Sequence, residues 1–325
     1  MTEEEIMSTW RKEYNNQPVL TIWCTVYNHE NFIKQCLDSF LMQITTFPFV
    51  VIPHDDASTD SSALILQKYA EKYPNIVKPV LEKKNVYSQG NLAFEDLKRK
   101  YFKTEYIAFC EGDDYWSNPR KLQKQFEFME MHKDYSSVGH LTKSVDKDGN
   151  IVETFIDAKP GDYTIEDNNR WQLYAHVSSY FFRNIYFEMT DEDVKEYAKV
   201  SVPGDRKYPI LFLQYGKLFV LDEEMSVYRF MSCASSFTSQ KHTCAEIYGE
   251  FEKLESYANS KGIYVNYKQP KENQLHIAFK NAICRREKSL FYILKQRKHV
   301  LVDLFKCVLY YVVKIPVYIK KRIHK

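Results

Sequence analysis

The chain of 325 residues is 44% apolar, 27% charged and 15% aromatic, enough apolar material for one large domain with a smaller annex and too much for a disordered chain. Its net charge of +2 is uneven: residues 285–325 carry twelve basic side chains against Glu287 and Asp303, leaving this tail at +10 and residues 1–284 at −8. A mildly acidic body argues against nucleic-acid binding and leaves one basic end for an anionic partner. The seven cysteines include no CxxC or zinc-ligand spacing and read as reduced thiols. The opening MTEEEIMSTWRKEY is acidic and lacks the apolar core of a secretory signal, so the expectation is a cytoplasmic protein.

In chain order, residues 18–26 form an apolar, β-branched run, and residues 30–43 place Phe32, Ile33, Cys36, Leu37, Phe40 and Leu41 at helical spacing. The strand-then-helix pattern recurs: 47–56 is a strand ending in acids, 58–73 a helix, 75–82 strand-like, about 89–101 a third helix, and 105–114 a strand ending in carboxylates. Such alternation predicts a mostly parallel sheet covered on both faces, with ligands at the carboxyl ends of its strands. Beyond residue 133 the pattern loosens, and turn signals at 148–150 and 160–162 predict hairpins and loops that hold an acceptor. From 244 onward the chain is charged and helical, with a boundary expected near 232–244 around Ser235 and Ser236.

Two acidic clusters end neighbouring predicted strands: Asp55, Asp56 and Asp60 with Ser58 and Thr59, and Glu111, Asp113 and Asp114 around Gly112. Carboxylates crowded at one sheet edge repel unless a cation or a set of donors compensates, and hard oxygen ligands suit Mg²⁺ or Mn²⁺. Taken alone, the first cluster reads equally well as a turn and a helix cap. Neither GxGxxG nor GxxxxGK[ST] occurs, so dinucleotide and P-loop readings lack support.

Taken together, Thr25-Val26-Tyr27-Asn28, His54-Asp55-Asp56-Ala57-Ser58-Thr59-Asp60 and Glu111-Gly112-Asp113-Asp114-Tyr115-Trp116 resemble the T-x-Y-N, DDGSTD and DxD-type motifs of family 2 glycosyltransferases of the GT-A fold, closely over about 18–132 and more loosely over 200–230. The resemblance implies an α/β fold with a mixed sheet and helices on both faces, here followed by a C-terminal helical annex. It implies that Thr25 and Tyr27 line a base pocket, that Asp56 holds base or ribose, that Asn85 lies near the uracil, and that Asp113 and Asp114 bind Mn²⁺ or Mg²⁺ against the donor diphosphate. Ala57 stands where the family has glycine, which asks for a negative φ or some strain. Glu111 stands where the family more often has the first Asp of DxD.

An attacking hydroxyl needs a base. Asp205, after Pro203-Gly204 and before the apolar Tyr208–Leu213 stretch, is the candidate, similar to the family's catalytic acid before an apolar helix; a plain turn Asp is the bland reading, and Asp162 and Glu153 are the alternates. Arg229, closing a strand that resembles the family's Tyr-Arg ending, offers a bidentate fork to phosphate, or is a surface arginine. His176 reads as a structural histidine and Trp116 as core, with acceptor contacts as the rival reading for each. Residues 300–315 place Leu301, Leu304, Phe305, Val308, Tyr311, Val312 and Ile315 on one side of a helix and Asp303, Lys306, Tyr310 and Lys314 on the other. No uncharged run there is long enough to span a bilayer. With Lys320, Lys321 and Arg322 following, residues 285–325 read as an interfacial anchor for anionic lipid, or as a helix packed on the protein.

The expectation is a catalytic domain over 1–235 and a helical region over 236–325. By this reading it is an inverting enzyme that moves a sugar from a nucleotide donor, a UDP-sugar, to a hydroxyl of a glycan or lipid-linked acceptor. Its place is the inner face of the cell membrane, in bacterial surface-polysaccharide assembly such as capsule or O-antigen, with no nucleic-acid partner. A sugar nucleotidyltransferase would want a Gly-rich basic loop after the first strand, and residues 25–30 contain no Gly, Lys or Arg. The third reading, an inactive membrane-associated scaffold, is opposed by the intact acids.

Overall fold

The computed structural model describes residues 1–154, 156, 158–164, 175–232, 242–283 and 288–323, with side chains as far as Tyr311. After α1 (Glu3–Met7), strands and helices alternate: β1 (Leu20–Val26), α2 (Ile33–Leu41), β2 (Phe49–Asp55), α3 (Ser62–Lys72), β3 (Val80–Leu81), α4 (Asn91–Tyr101) and β4 (Tyr106–Glu111). There follow β5 (Tyr115–Trp116), α5 (Lys121–Met131), β6 (Tyr135–Val145), β7 (Gly161–Tyr163), β8 (Phe181–Arg183), α6 (Asp191–Lys199), α7 (Gly204–Tyr215) and β9 (Lys217–Arg229). The chain ends in α8 (Cys244–Ser260), α9 (Lys268–Ile283), α10 (Ser289–Lys295) and α11 (Val300–Ile323).

The strands form one sheet in the order β3-β2-β1-β4-β8-β6-β9-β5, with β7 paired to β9. The half built from the predicted alternation is parallel, because each crossover carries a helix. Beyond β4 the sheet is mixed: β8 runs antiparallel to both β4 and β6, and β5 and β7 run antiparallel to β9. Both faces are buried. Along β1, Leu20, Ile22, Cys24 and Val26 point to the side covered by α2 and α5, while Trp23 points to the side covered by α6 and α7, the two-residue period of a strand between two helical layers.

Three features position the site. The register pairs Val26 with Asp55 and Thr25 with Glu111, so the carboxyl ends of β1, β2 and β4 finish at one level. Gly112 is fixed by packing: a Cβ there would lie 2.8 Å from His29 Nδ1 and 3.1 Å from the Thr25 carbonyl. Finally, Phe251, Leu254 and Tyr257 of α8 join the core cluster of α6 and α7, so the helical region is anchored on the sheet's flank. The expected boundary around Ser235 and Ser236 lies outside the described residues.

Candidate functional site

The loops after β1 and β2 are stitched to each other by the residues that looked like a cap. Ser58 Oγ accepts the Asn28 amide at 2.9 Å, Asn28 Oδ1 accepts the Thr59 amide at 2.8 Å, and Asp60 accepts the amides of Glu30 and Ser62 at 3.0 and 2.9 Å. Asp55 accepts the Ser58 amide at 3.1 Å. These residues build the rim and leave Thr25, half-buried, and Tyr27, exposed, on it. Ala57 sits at φ +62°, in the left-handed region, so of the two options open to an alanine there the chain takes the strained one.

Asp56 is buried and both of its carboxylate oxygens accept backbone amides, Val86 at 2.5 Å and Tyr87 at 3.1 Å. Asn85 donates to the Asp56 carbonyl at 3.1 Å and accepts the Ser88 amide at 2.7 Å. The two predicted base-pocket residues are therefore brought together. In this structure they shape the 85–89 loop beyond the end of β2.

The second cluster is assembled by sheet register. Antiparallel pairing of Ala108 with Phe181 carries on to set Glu111 against Ser178, and pairing of Tyr115 with Val227 sets Asp113 against Arg229. Asp114 is fully buried; its oxygens accept Ser178 Oγ at 2.6 Å and the Arg229 amide at 2.9 Å, and His176 Nδ1 lies 3.6 Å away. Burial, then the neighbouring Asp113 charge, pushes the Asp114 carboxyl well above the usual range. His176 is buried and packs tilted on Tyr228 at 4.2 Å; burial lowers its pKa against the pull of Asp205 and Asp113.

Ligand atoms of Glu111, Asp114 and His176 all lie within 4.8 Å of one another, two carboxylates and an imidazole, a donor set that fits a divalent cation. Glu111 is the exposed member. Of the predicted metal pair, Asp114 belongs to this set, while Asp113 turns its carboxylate to the Ser232 hydroxyl. His176 was the residue that sequence reading undervalued.

Arg229 does not stand free at the strand end. Its guanidinium is buried between Phe32 and Tyr115, at 5.0 and 4.7 Å, and donates to the Asp113 carbonyl and to Gln35 Oε1, bracing the acidic loop from behind. Trp116 is core: it is 1% exposed, donates Nε1 to the Ser178 carbonyl at 2.8 Å and packs on Phe40.

Asp205 lies in the first turn of α7. Its Oδ1 accepts the Val177 amide at 2.8 Å, which ties it to the segment carrying His176 and Ser178. Its Oδ2 has no hydrogen-bond partner among the described residues. The turn is held from below by a buried network. Lys98 on α4 donates to Tyr208 Oη at 2.7 Å and contacts Glu95 at 3.1 Å; Glu95 also takes Tyr186 Oη at 2.7 Å and Lys207 at 3.3 Å. The Tyr208 ring lies over Gly204, where a Cβ would meet it at 2.8 Å. Burial opposes charge on Lys98, but Glu95 and Tyr208 outweigh it and hold the ammonium charged; Lys207, less well paired, is brought down by burial to about 8. The alternates fall elsewhere: Asp162 is on β7, hydrogen-bonded by Tyr135 Oη, and Glu153 is exposed.

The Glycosyl transferase family 2 model matches residues 21–194, more than half of the chain. An uncharacterized protein of Mycobacterium tuberculosis is 40% identical over 123 residues, 38% of this chain and 35% of that protein. The poly(ribitol-phosphate) beta-glucosyltransferase of Bacillus spizizenii is 35% identical over 151 residues, 43% of this chain and 23% of the relative. The chain thus matches about a third or less of these two relatives' length. Among solved structures, Staphylococcus aureus TarS 1–349 in complex with UDP superimposes with a TM-score of 0.55 at 19% identity, covering 80% of this chain and 70% of that one. The mannosyltransferase PcManGT of Pyrobaculum calidifontis, in complex with GDP-Man and Mn²⁺, does so at 0.50 and 13%, covering 91% and 81%. With its acids at the ends of β2 and β4 in a GT-A fold, the chain belongs to glycosyl transferase family 2.

Proposed function

We propose that the chain transfers a sugar from a UDP-sugar to a hydroxyl of a glycan or lipid-linked glycan, with inversion by a single displacement. The observation that carries this is the joining of two elements at one strand edge: the Glu111, Asp114 and His176 donor set, and Asp205 bound to the same 176–179 segment through the Val177 amide. UDP is favoured as the nucleotide because the TarS structures hold UDP and UDP-GlcNAc.

The chemistry follows from the geometry. Tyr27 and the loop organised by Asp56 and Asn85 offer a rim for the base. Glu111, Asp114 and His176, with Asp113 adjoining, would hold Mn²⁺ or Mg²⁺, which when bound supplies Lewis-acid charge opposite a leaving diphosphate. Asp205 accepts the acceptor's proton on Oδ2 while Oδ1 stays on the Val177 amide, so the base is oriented throughout. In this reading the acceptor belongs to surface-polysaccharide assembly, capsule or O-antigen in type, at the cytoplasmic face of the cell membrane.

Calorimetry of UDP with and without Mn²⁺, on wild type and on Glu111→Ala, the exposed member of the donor set, tests the donor half. Binding that requires the ion and is lost in the variant is the expected result. No UDP binding in either metal state would sink the UDP-sugar reading.

A further inference from the structure

Helix α11 packs on the protein through a face that draws on both of its expected sides: Asp303 and Tyr310 from the polar one, Leu304 and Tyr311 from the apolar one, with Cys307 between them. Asp303 faces inward and is gripped by Arg297 at 2.6 and 3.1 Å; Cys307 is fully buried; Tyr310 stacks on His276 at 4.0 Å; and Tyr311 Oη donates to the His276 carbonyl at 2.9 Å. Asp303 and Tyr310, expected on the outer, polar side, therefore lie on the packed one, and much of the expected apolar side is left outside.

The consequence is an uncovered stripe. Leu301, Val302, Phe305, Val308 and Leu309 are 83%, 51%, 67%, 48% and 51% exposed. At the 100° step of an α-helix they fall within an arc of about 120°. An ordinary surface helix turns such an arc to the core. Lys306 is exposed at its edge, and Asp303, the one acid of α11, is withdrawn from the surface into its pair with Arg297. Among the described residues no helix is long and apolar enough to cross a membrane.

We infer that this face of α11 lies on an anionic lipid bilayer, with the stripe in the acyl boundary, exposed Lys306 at the headgroups, and the +10 charge of the 285–325 sequence adding attraction to the leaflet. Charge selects this occupant. Two copies of the chain meeting through this face would bring two tails of +10 together, whereas a negatively charged leaflet complements them. An apolar arc beside exposed cations, on a helix too polar to insert, is the pattern of an interfacial helix. The inference rests on the surface of α11 and stands independently of which sugar the enzyme transfers.

The test is sedimentation of the full chain with phosphatidylcholine vesicles made with and without phosphatidylglycerol. The expected result is pelleting with the anionic vesicles, about tenfold weaker with neutral ones, and falling as salt is raised. The double substitution Leu301→Asp with Phe305→Asp alters only exposed positions. It is expected to lower vesicle partitioning by about tenfold or more while UDP calorimetry is unchanged. Three results would overturn the inference: no pelleting with anionic vesicles, pelleting indifferent to lipid charge or to the double substitution, or a soluble oligomer in light scattering that the double substitution dissociates, which would give the face to a second copy.

Discussion

Tyr208→Phe isolates the link between the buried network and the proposed base. The substitution keeps the ring that covers Gly204 and removes the hydroxyl that accepts from Lys98 at 2.7 Å. A hydrogen bond to a charged group is worth about 1.5–3 kcal/mol, and Lys98 keeps Glu95 at 3.1 Å, so the ammonium remains paired and the expected loss of stability is about 2 kcal/mol. The ring is then free to shift off Gly204, and the neighbouring Asp205 shifts with it. If all of that energy were needed to hold Asp205 in its reactive position, turnover would fall about thirtyfold; if half, about fivefold. Donor KM should not move, because Tyr27, Asp56 and Asn85 stand on other elements. The assay is UDP release at saturating acceptor, with whichever UDP-sugar the wild type turns over, alongside urea unfolding. Lys98→Met and the double variant complete a cycle, and a coupling of about 1 kcal/mol or more in log kcat is expected if the two act as one device. A stability loss with kcat unchanged would refute the positioning argument, since the network would then only hold α4 to α7.

The remaining predictions are sharper but narrower. Asp205→Asn should leave metal-dependent UDP binding intact and cut transfer by about 10²–10⁴, the range for loss of a general base; near-wild-type transfer would remove Asp205 from that role. Ala57→Gly relieves a left-handed alanine at φ +62° and should raise the urea midpoint by the equivalent of about 1 kcal/mol. His54, fully buried and stacked on Trp23 with no hydrogen bond to either ring nitrogen, is lowered by burial from 6.5 to about 4. The unfolded chain then binds the proton first, so its contribution is present above pH 6.5 and lost as pH falls toward 4, about 2 kcal/mol by pH 5. His54→Phe should flatten that part of the stability–pH curve, and an unchanged slope would show that another group titrates there.

What could be read from the sequence was what is written locally. The first three long strands, β1, β2 and β4, announce themselves as apolar runs, and the acids at the ends of β2 and β4 interrupt them at the places where the register Val26–Asp55 and Thr25–Glu111 brings them level. The loosening after residue 133 hid two long strands. β6 and β9 mix serine, threonine, lysine and glutamate into their runs, and their pairing passes through irregular register between His140 and Thr142, so neither shows a clean period. His176 had no local signature at all: it reaches the acids only because β8 runs antiparallel to β4, a fact of topology some sixty residues removed from the motif. Arg229 shows the opposite pattern, a local signal with a partner that only topology supplies. Its chemistry suggested phosphate, but antiparallel pairing of β5 and β9 sets it opposite Asp113, where the guanidinium is more useful to the loop than to a ligand.

The charge balance at this edge carries the last step. Glu111, Asp113 and Asp114 lie within four residues; among the described residues, the guanidinium of Arg229 beside them is spent on a carbonyl and an amide oxygen, and burial lowers the His176 pKa. Burial and Asp113 together already make ionisation of Asp114 unfavourable. A nucleoside diphosphate adds further negative charge to the same place, and none of the side chains in the cluster answers it. The site is therefore built at a deficit of positive charge that a divalent cation would remove, at once allowing Asp114 to ionise and the diphosphate to approach. The buried cations Lys98 and Lys207 do not do this, because they are committed to Glu95 and Tyr208 beneath the turn that carries Asp205. On the proposed reading positive charge is divided between two tasks: Lys98 and Lys207 hold the turn that carries Asp205, and the donor half of the cleft is left to an ion, so donor affinity should depend on metal while the position of Asp205 should not.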